Sequence, residues 1–112
     1  MKGLIYSPKK GIPLFRLLYD RTGNRMVEYR NMRNGQTELL PIETMIVYLI
    51  DWETKSENQM LYSPQNRIPL GIVGRDVQGS YYIEVKYKKV KECIRFSTYI
   101  GLFFEEGIKN VG

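Results

Sequence analysis

Residues Tyr6-Ser7-Pro8 and Ile12-Pro13-Leu14 return with unchanged spacing as Tyr62-Ser63-Pro64 and Ile68-Pro69-Leu70, an offset of 56 in a chain of 112 residues. The same ungapped offset pairs Asp20 with Asp76, Gly23 with Gly79 and Glu28 with Glu84, giving nine identities within 23 positions. Conservative pairs fill the intervals: Ile5/Leu61, Leu17/Val73, Val27/Ile83, Arg30/Lys86 and Arg33/Lys89. Each proline fixes φ and removes a donor, so two prolines at one internal spacing impose the same backbone constraint twice. Self-similarity of this kind marks a repeated supersecondary unit. The organisation expected is a single domain, 1–112, made of two internal repeats, 1–56 and 57–112.

Within each repeat the pattern is that of strands and turns. A short apolar segment, Gly3 to Tyr6 or Met60 to Tyr62, is interrupted by Ser-Pro, and a central strand does not tolerate proline. An apolar run follows, Ile12 to Tyr19 or Ile68 to Val73, and then Asp20-Arg21-Thr22-Gly23 or Asp76-Val77-Gln78-Gly79. Asp at the first and Gly at the fourth position of a β-turn is a favourable pairing. The next segments, Arg25 to Arg33 and Tyr81 to Lys91, alternate at period two. Tyr81, Ile83, Val85 and Tyr87 fall on one face, expected to be core, and Tyr82, Glu84, Lys86 and Lys88 on the other. Each half therefore carries a β-hairpin closed by an Asp-x-x-Gly turn. Asn34-Gly35 signals a further tight turn and a strand through Thr37 to Leu40. Met45 to Trp52 and Cys93 to Phe104 read as strand or short helix, with β-branched and aromatic content tilting the first toward strand and Gly101 counting against a helix in the second. The polar stretch Glu53 to Gln59 is the natural joint. The fold class expected is all-β or mainly β, a small pseudo-two-fold barrel or sandwich. A 56-residue unit is marginal alone, which favours interlocked halves over two separate small barrels.

Composition narrows the function. The chain has no histidine, which removes the commonest general base and nitrogen metal ligand, and a single cysteine cannot build a structural zinc site. The reading is a non-catalytic protein with no metal and no cofactor. Asp20 and Asp76 lack the hydroxyl residue and glycine that follow the acids of aspartic proteases, and turn capping explains them. Glu28 and Glu84 sit beside Arg30 and Lys86; the expectation is pairing with bases across the strands, the less favoured alternative being a carboxylate pair near the pseudo-axis. Cys93 excludes an internal disulfide and fits a reducing, cytoplasmic setting. Met45 to Ile50, the longest uncharged apolar run, is far too short for a bilayer, so no membrane role is expected.

Charge follows the repeat. Residues 2 to 33 carry eight bases against two acids and residues 67 to 91 carry six against two, whereas the segments after each hairpin are acidic. Segregation by structural unit exceeds what solubility requires and points to a polyanion. The candidate nucleic-acid contacts are Arg21, Arg25, Arg30, Arg33, Tyr82, Lys86, Lys88, Lys89 and Lys91, with Tyr29 beside Arg30. Lysine and arginine would neutralise phosphates and tyrosine rings would stack bases, for DNA or RNA alike. If both hairpins pair in one sheet, their basic sides share one face. The alternative is a protein-interaction module that docks on an acidic protein surface, or forms homo-oligomers, through edge strands. Such a module would suit a virus or mobile element, as an assembly component or an inhibitor of a host factor.

Overall fold

The computed structural model describes residues 3–52 and 58–111, with side chains to 104. Strands β1 (Gly3–Tyr6), β2 (Pro13–Tyr19), β3 (Arg25–Arg30) and β4 (Thr37–Pro41) lead into helix α1 (Ile42–Trp52). Strands β5 (Gln59–Tyr62), β6 (Pro69–Arg75), β7 (Tyr81–Tyr87) and β8 (Val90–Arg95) lead into helix α2 (Phe96–Val111). The chain is thus mainly β, with two antiparallel four-stranded sheets in the meander orders β1-β2-β3-β4 and β5-β6-β7-β8.

Two expectations are corrected, and a choice left open between strand and helix is decided. The two hairpins do not pair in one sheet but belong to separate sheets. Neither sheet closes into a barrel, since the first and last strands of each do not pair. Met45 to Trp52 is helical, and Cys93 to Phe104 is divided between the end of β8 and α2. The helical spacing was present in the sequence. Ile42, Met45 and Leu49 are buried at i, i+3 and i+7, as are Phe96, Tyr99 and Phe103 in α2. One buried face outweighs the weak strand preference of β-branched residues, and Glu43 favours the positive end of α1. The expected joint falls mostly outside the described residues.

The local readings hold where turn chemistry dictates them. Asp20 Oδ1 accepts the Thr22 and Asn24 amides, both at 2.9 Å, while the Gly23 amide donates to the Asp20 carbonyl at φ +87°. Asp76 Oδ1 accepts from Gln78 and Ser80 at the same distance, with Gly79 at φ +88°. Each loop after the first strand of a half is closed by its serine. The Ser7 hydroxyl accepts the Ile12 amide at 2.7 Å, and the Ser63 hydroxyl accepts the Ile68 amide at 2.8 Å.

The core draws on both halves. Inward-facing Phe15 and Tyr29 of the first sheet meet Tyr99 and Phe103 of α2, with Phe15 and Phe103 stacked at 4.6 Å between centroids. The Tyr29 and Tyr99 hydroxyls share a buried hydrogen bond of 3.0 Å. Desolvation raises both phenols well above their usual range, so the pair stays neutral. In return, the Tyr48 hydroxyl of α1 donates to the Tyr62 carbonyl of β5. Each helix therefore contacts the sheet of the other half.

Candidate nucleic-acid interface

Two buried carboxylates organise the surface. Glu38 and Glu92 occupy inward positions of β4 and β8, in line with the core residues Leu40 and Ile94. A charge at such a position must be paired or hydrogen-bonded. Each glutamate meets that need by reaching across to the Ser-Pro loop of the other half. Glu92 accepts the Lys9 amide at 3.0 Å and the Lys10 amide at 2.8 Å, one on each carboxylate oxygen. Glu38 accepts the Gln65 amide at 3.0 Å and the Asn66 amide at 2.7 Å in the same arrangement, and the Ser63 hydroxyl donates to it as well. Burial pushes the Glu92 carboxyl up, but the Ser7 hydroxyl and the Lys10 and Lys9 amides outweigh it and leave the pKa below its ordinary value.

The Glu92 clasp brings the loop that carries Lys9 and Lys10 to β8. Lys86 and Lys91 are direct cross-strand partners on the outer face of the β7–β8 hairpin, and Lys88 and Lys89 form its two-residue turn. By holding consecutive amides, the clasp fixes Lys9 and Lys10 beside β8, where the Lys10 charge acts on Cys93 and the Lys9 charge on Glu92. Four exposed lysines thus lie on this hairpin, and two more, Lys9 and Lys10, are exposed on the loop tied to β8 through Glu92. Within β7, its turn and β8 the acids are Glu84 on the outer face and the clasped Glu92, against Lys86, Lys88, Lys89, Lys91 and Arg95, so the hairpin itself is net basic.

This arrangement costs the hairpin stability. Like charges directly opposite in an antiparallel pair repel. Lys88 also adopts φ +57°, a left-handed conformation that glycine or asparagine fills more easily.

The remaining predicted residues scatter. Arg25 is half-buried and donates to the Phe103 carbonyl of α2, so it braces the fold. Arg21 is exposed in the Asp20 turn. Arg30 and Arg33 lie at the far end of β3, roughly 17 Å from Arg25 at about 3.3 Å per residue. Arg30 lines a cleft of 380 Å³ on the outer face of the first sheet, with Leu4, Leu14, Arg16, Glu28 and Met32. Tyr82 is half-buried, and its ring covers Gly74 so closely that an added Cβ there would stand 2.4 Å from it. It lies roughly 13 Å along β7 from Lys86. Tyr29 is buried in the core. The outer faces of the two sheets turn away from one buried core, so Arg30 and Lys86 do not share a sheet face as a single sheet would have required.

Lys9 and Lys10 are the residues that sequence reasoning missed. The usable signal was the pair Glu38 and Glu92, acids in register with core residues two positions on, just ahead of each helix. Cys93 is exposed on β8; desolvation and the Glu84 carboxylate across the strand push its thiol up, which lowers its thiolate fraction. Among the described residues no group of three or more His, Cys, Asp or Glu side chains could hold a metal ion. No described helix is long and apolar enough to cross a membrane. No family profile, no curated protein and no solved structure matches this chain.

Proposed function

We propose that the chain is a duplicated ββββα unit whose halves clasp each other to build one polyanion-binding surface, and that it acts as a non-catalytic nucleic-acid-binding protein. The equal element order, the repeated serine-closed loops and the reciprocal glutamate clasps support the duplication. One observation carries the function: four exposed lysines, Lys86, Lys88, Lys89 and Lys91, on one hairpin despite the cross-strand repulsion of Lys86 and Lys91, with the loop bearing exposed Lys9 and Lys10 tied to its second strand by Glu92. Clustered ammonium groups release counterions when they meet phosphates, which yields affinity without base readout.

Fluorescence anisotropy with labelled DNA and RNA at low and physiological salt tests this reading. Binding should weaken steeply with salt, by up to a slope near −0.9 per phosphate neutralised on duplex. The triple charge reversal of Lys86, Lys88 and Lys89 to Glu should weaken it for every sequence alike. An absence of binding at low salt ends the reading.

A second reading, an acidic protein partner, is favoured by the cleft on the first sheet, where Arg16 and Arg30 flank the apolar walls Leu4, Leu14 and Met32. A pull-down from nuclease-treated lysate separates the two. A partner retained after nuclease and lost in Arg16→Glu/Arg30→Glu supports the protein reading. A partner lost on nuclease treatment supports the first.

A further inference from the structure

The polyanion reading leaves open which form of nucleic acid the lysine surface takes. Resting on that reading, we infer that the surface is built for the phosphate rows of a double helix, read without regard to sequence, and not for single strands.

Two observations carry this. The first is the chemistry of the cluster. All six cations are lysines, whose ammonium is a compact point charge suited to phosphate oxygens. Direct readout in the major groove is fixed most sharply by the planar fork of arginine or by Asn and Gln amides; lysine can also donate to guanine O6 and N7, but its rotatable point charge orients less strictly. Neither the arginine fork nor such an amide is present at the hairpin turn or in the two clasped residues of the Ser-Pro loop. Lysine contacts to phosphate fix position and carry no sequence information.

The second observation concerns the aromatic rings. Binding to single strands without sequence preference depends on exposed rings that stack successive bases. On the β7–β8 hairpin those rings are engaged elsewhere, and Tyr6, exposed just ahead of the Ser-Pro loop, is a lone ring and not a row that could stack successive bases. Tyr87 is half-buried, packs against the core cluster and has the Lys88 ammonium 5.4 Å from its ring centre. Tyr82 lies across Gly74 toward the other end of the strand. Tyr29 is buried and hydrogen-bonded to Tyr99. With stacking removed, charge density decides the preference. A duplex presents one negative charge per roughly 1.7 Å of axis, a single strand about half that density, and the counterion term per contact is larger on the duplex. The clasp adds a preformed geometry. The Lys9 and Lys10 amides donate to the Glu92 carboxylate of the other half, so the backbone that bears these cations is already placed against β8 before binding.

The test is a salt titration of the intact protein with a duplex of about twenty base pairs, its two component single strands and a poly-glutamate peptide. Two duplexes of unrelated sequence are included. The duplexes should bind alike and on the order of tenfold more tightly than either strand. Single substitutions Lys86→Ala, Lys89→Ala and Lys9→Ala should each lower the salt slope by about one, with circular dichroism verifying the fold. Tyr82→Ala should leave the ratio of duplex to single-strand affinity unchanged. Equal or tighter binding of the single strands overturns the duplex inference but leaves the polyanion reading intact. Tighter binding of poly-glutamate than of any nucleic acid overturns it in favour of an acidic protein partner. If nothing binds at low salt, the polyanion reading falls together with it.

Discussion

At the scale of single residues, the two clasping glutamates connect folding to surface chemistry. Glu92 is buried and accepts two consecutive backbone amides, so its removal leaves both without a partner. Glu92→Ala should destabilise the protein by about 1–3 kcal/mol, measured by urea unfolding. It should also weaken polyanion binding, because Lys9 and Lys10 are no longer held at β8. The pH dependence follows from the lowered pKa of Glu92 in the folded state. Its contribution is present above the ordinary value of 4.5 and is lost as pH falls through the lower, folded value. Wild type should therefore lose stability below about pH 4.5, and Glu92→Ala should lose less over the same interval. The buried Tyr29–Tyr99 pair gives an independent reading on the same interface. Either single Phe substitution should cost about 1–3 kcal/mol by leaving one hydroxyl unpaired, whereas the double substitution should come closer to neutral. Additive single effects in a double-mutant cycle would show that the hydroxyls do not interact.

Individual elements differ in how legibly the sequence encodes them. Turn-bearing elements are legible because few residues satisfy their chemistry: Asp20 with Gly23, Asp76 with Gly79 and Asn34-Gly35 each announce a turn, and strands follow on both sides. The period-two run from Tyr81 to Tyr87 gives β7 with the expected inner face. Helix α1 was less legible because Ile42, Ile46, Val47 and Ile50 favour strand locally, and only burial of one helical face against a sheet reverses that preference. The candidate site was partly legible. The four lysines of the β7–β8 hairpin stand close in sequence, but Lys9 and Lys10 join them only through a contact spanning more than eighty residues. The stacking role drawn for Tyr82 finds its ring occupied by Gly74, an across-strand contact with no sequence signature of its own. The strained hairpin yields a prediction at this scale. Lys88→Gly should raise stability by about 1 kcal/mol, since glycine takes φ +57° without the penalty a side chain incurs. The same change should lower duplex affinity. Stability gained with affinity lost marks a position held for binding; a loss of stability would contradict the strain argument.

For the molecule as a whole, the reciprocal contacts make the halves dependent on each other. Glu92 holds the loop of the first half and Glu38 that of the second, and Phe15 and Tyr29 of the first sheet are covered by α2. A half expressed alone would expose those aromatic residues and leave a buried glutamate unpaired. Residues 1–56 and 57–112 should accordingly be largely unfolded as separate chains and regain cooperative structure when mixed, measured by circular dichroism and thermal unfolding. A folded, cooperative isolated half would remove the case for interdependence.

The central claim is that clasping by Glu92 assembles one lysine surface from both halves and that this surface meets nucleic acid. A titration of isotopically labelled protein with a duplex, followed amide by amide in nitrogen–proton correlation spectra, tests it most directly. The account predicts that Lys9, Lys10 and the stretch from Lys86 to Lys91 shift together along one binding curve, while Arg21 and Arg33 stay in place. Shifts confined to the β3–β4 hairpin, or movement of the β7–β8 turn without Lys9 and Lys10, would contradict it.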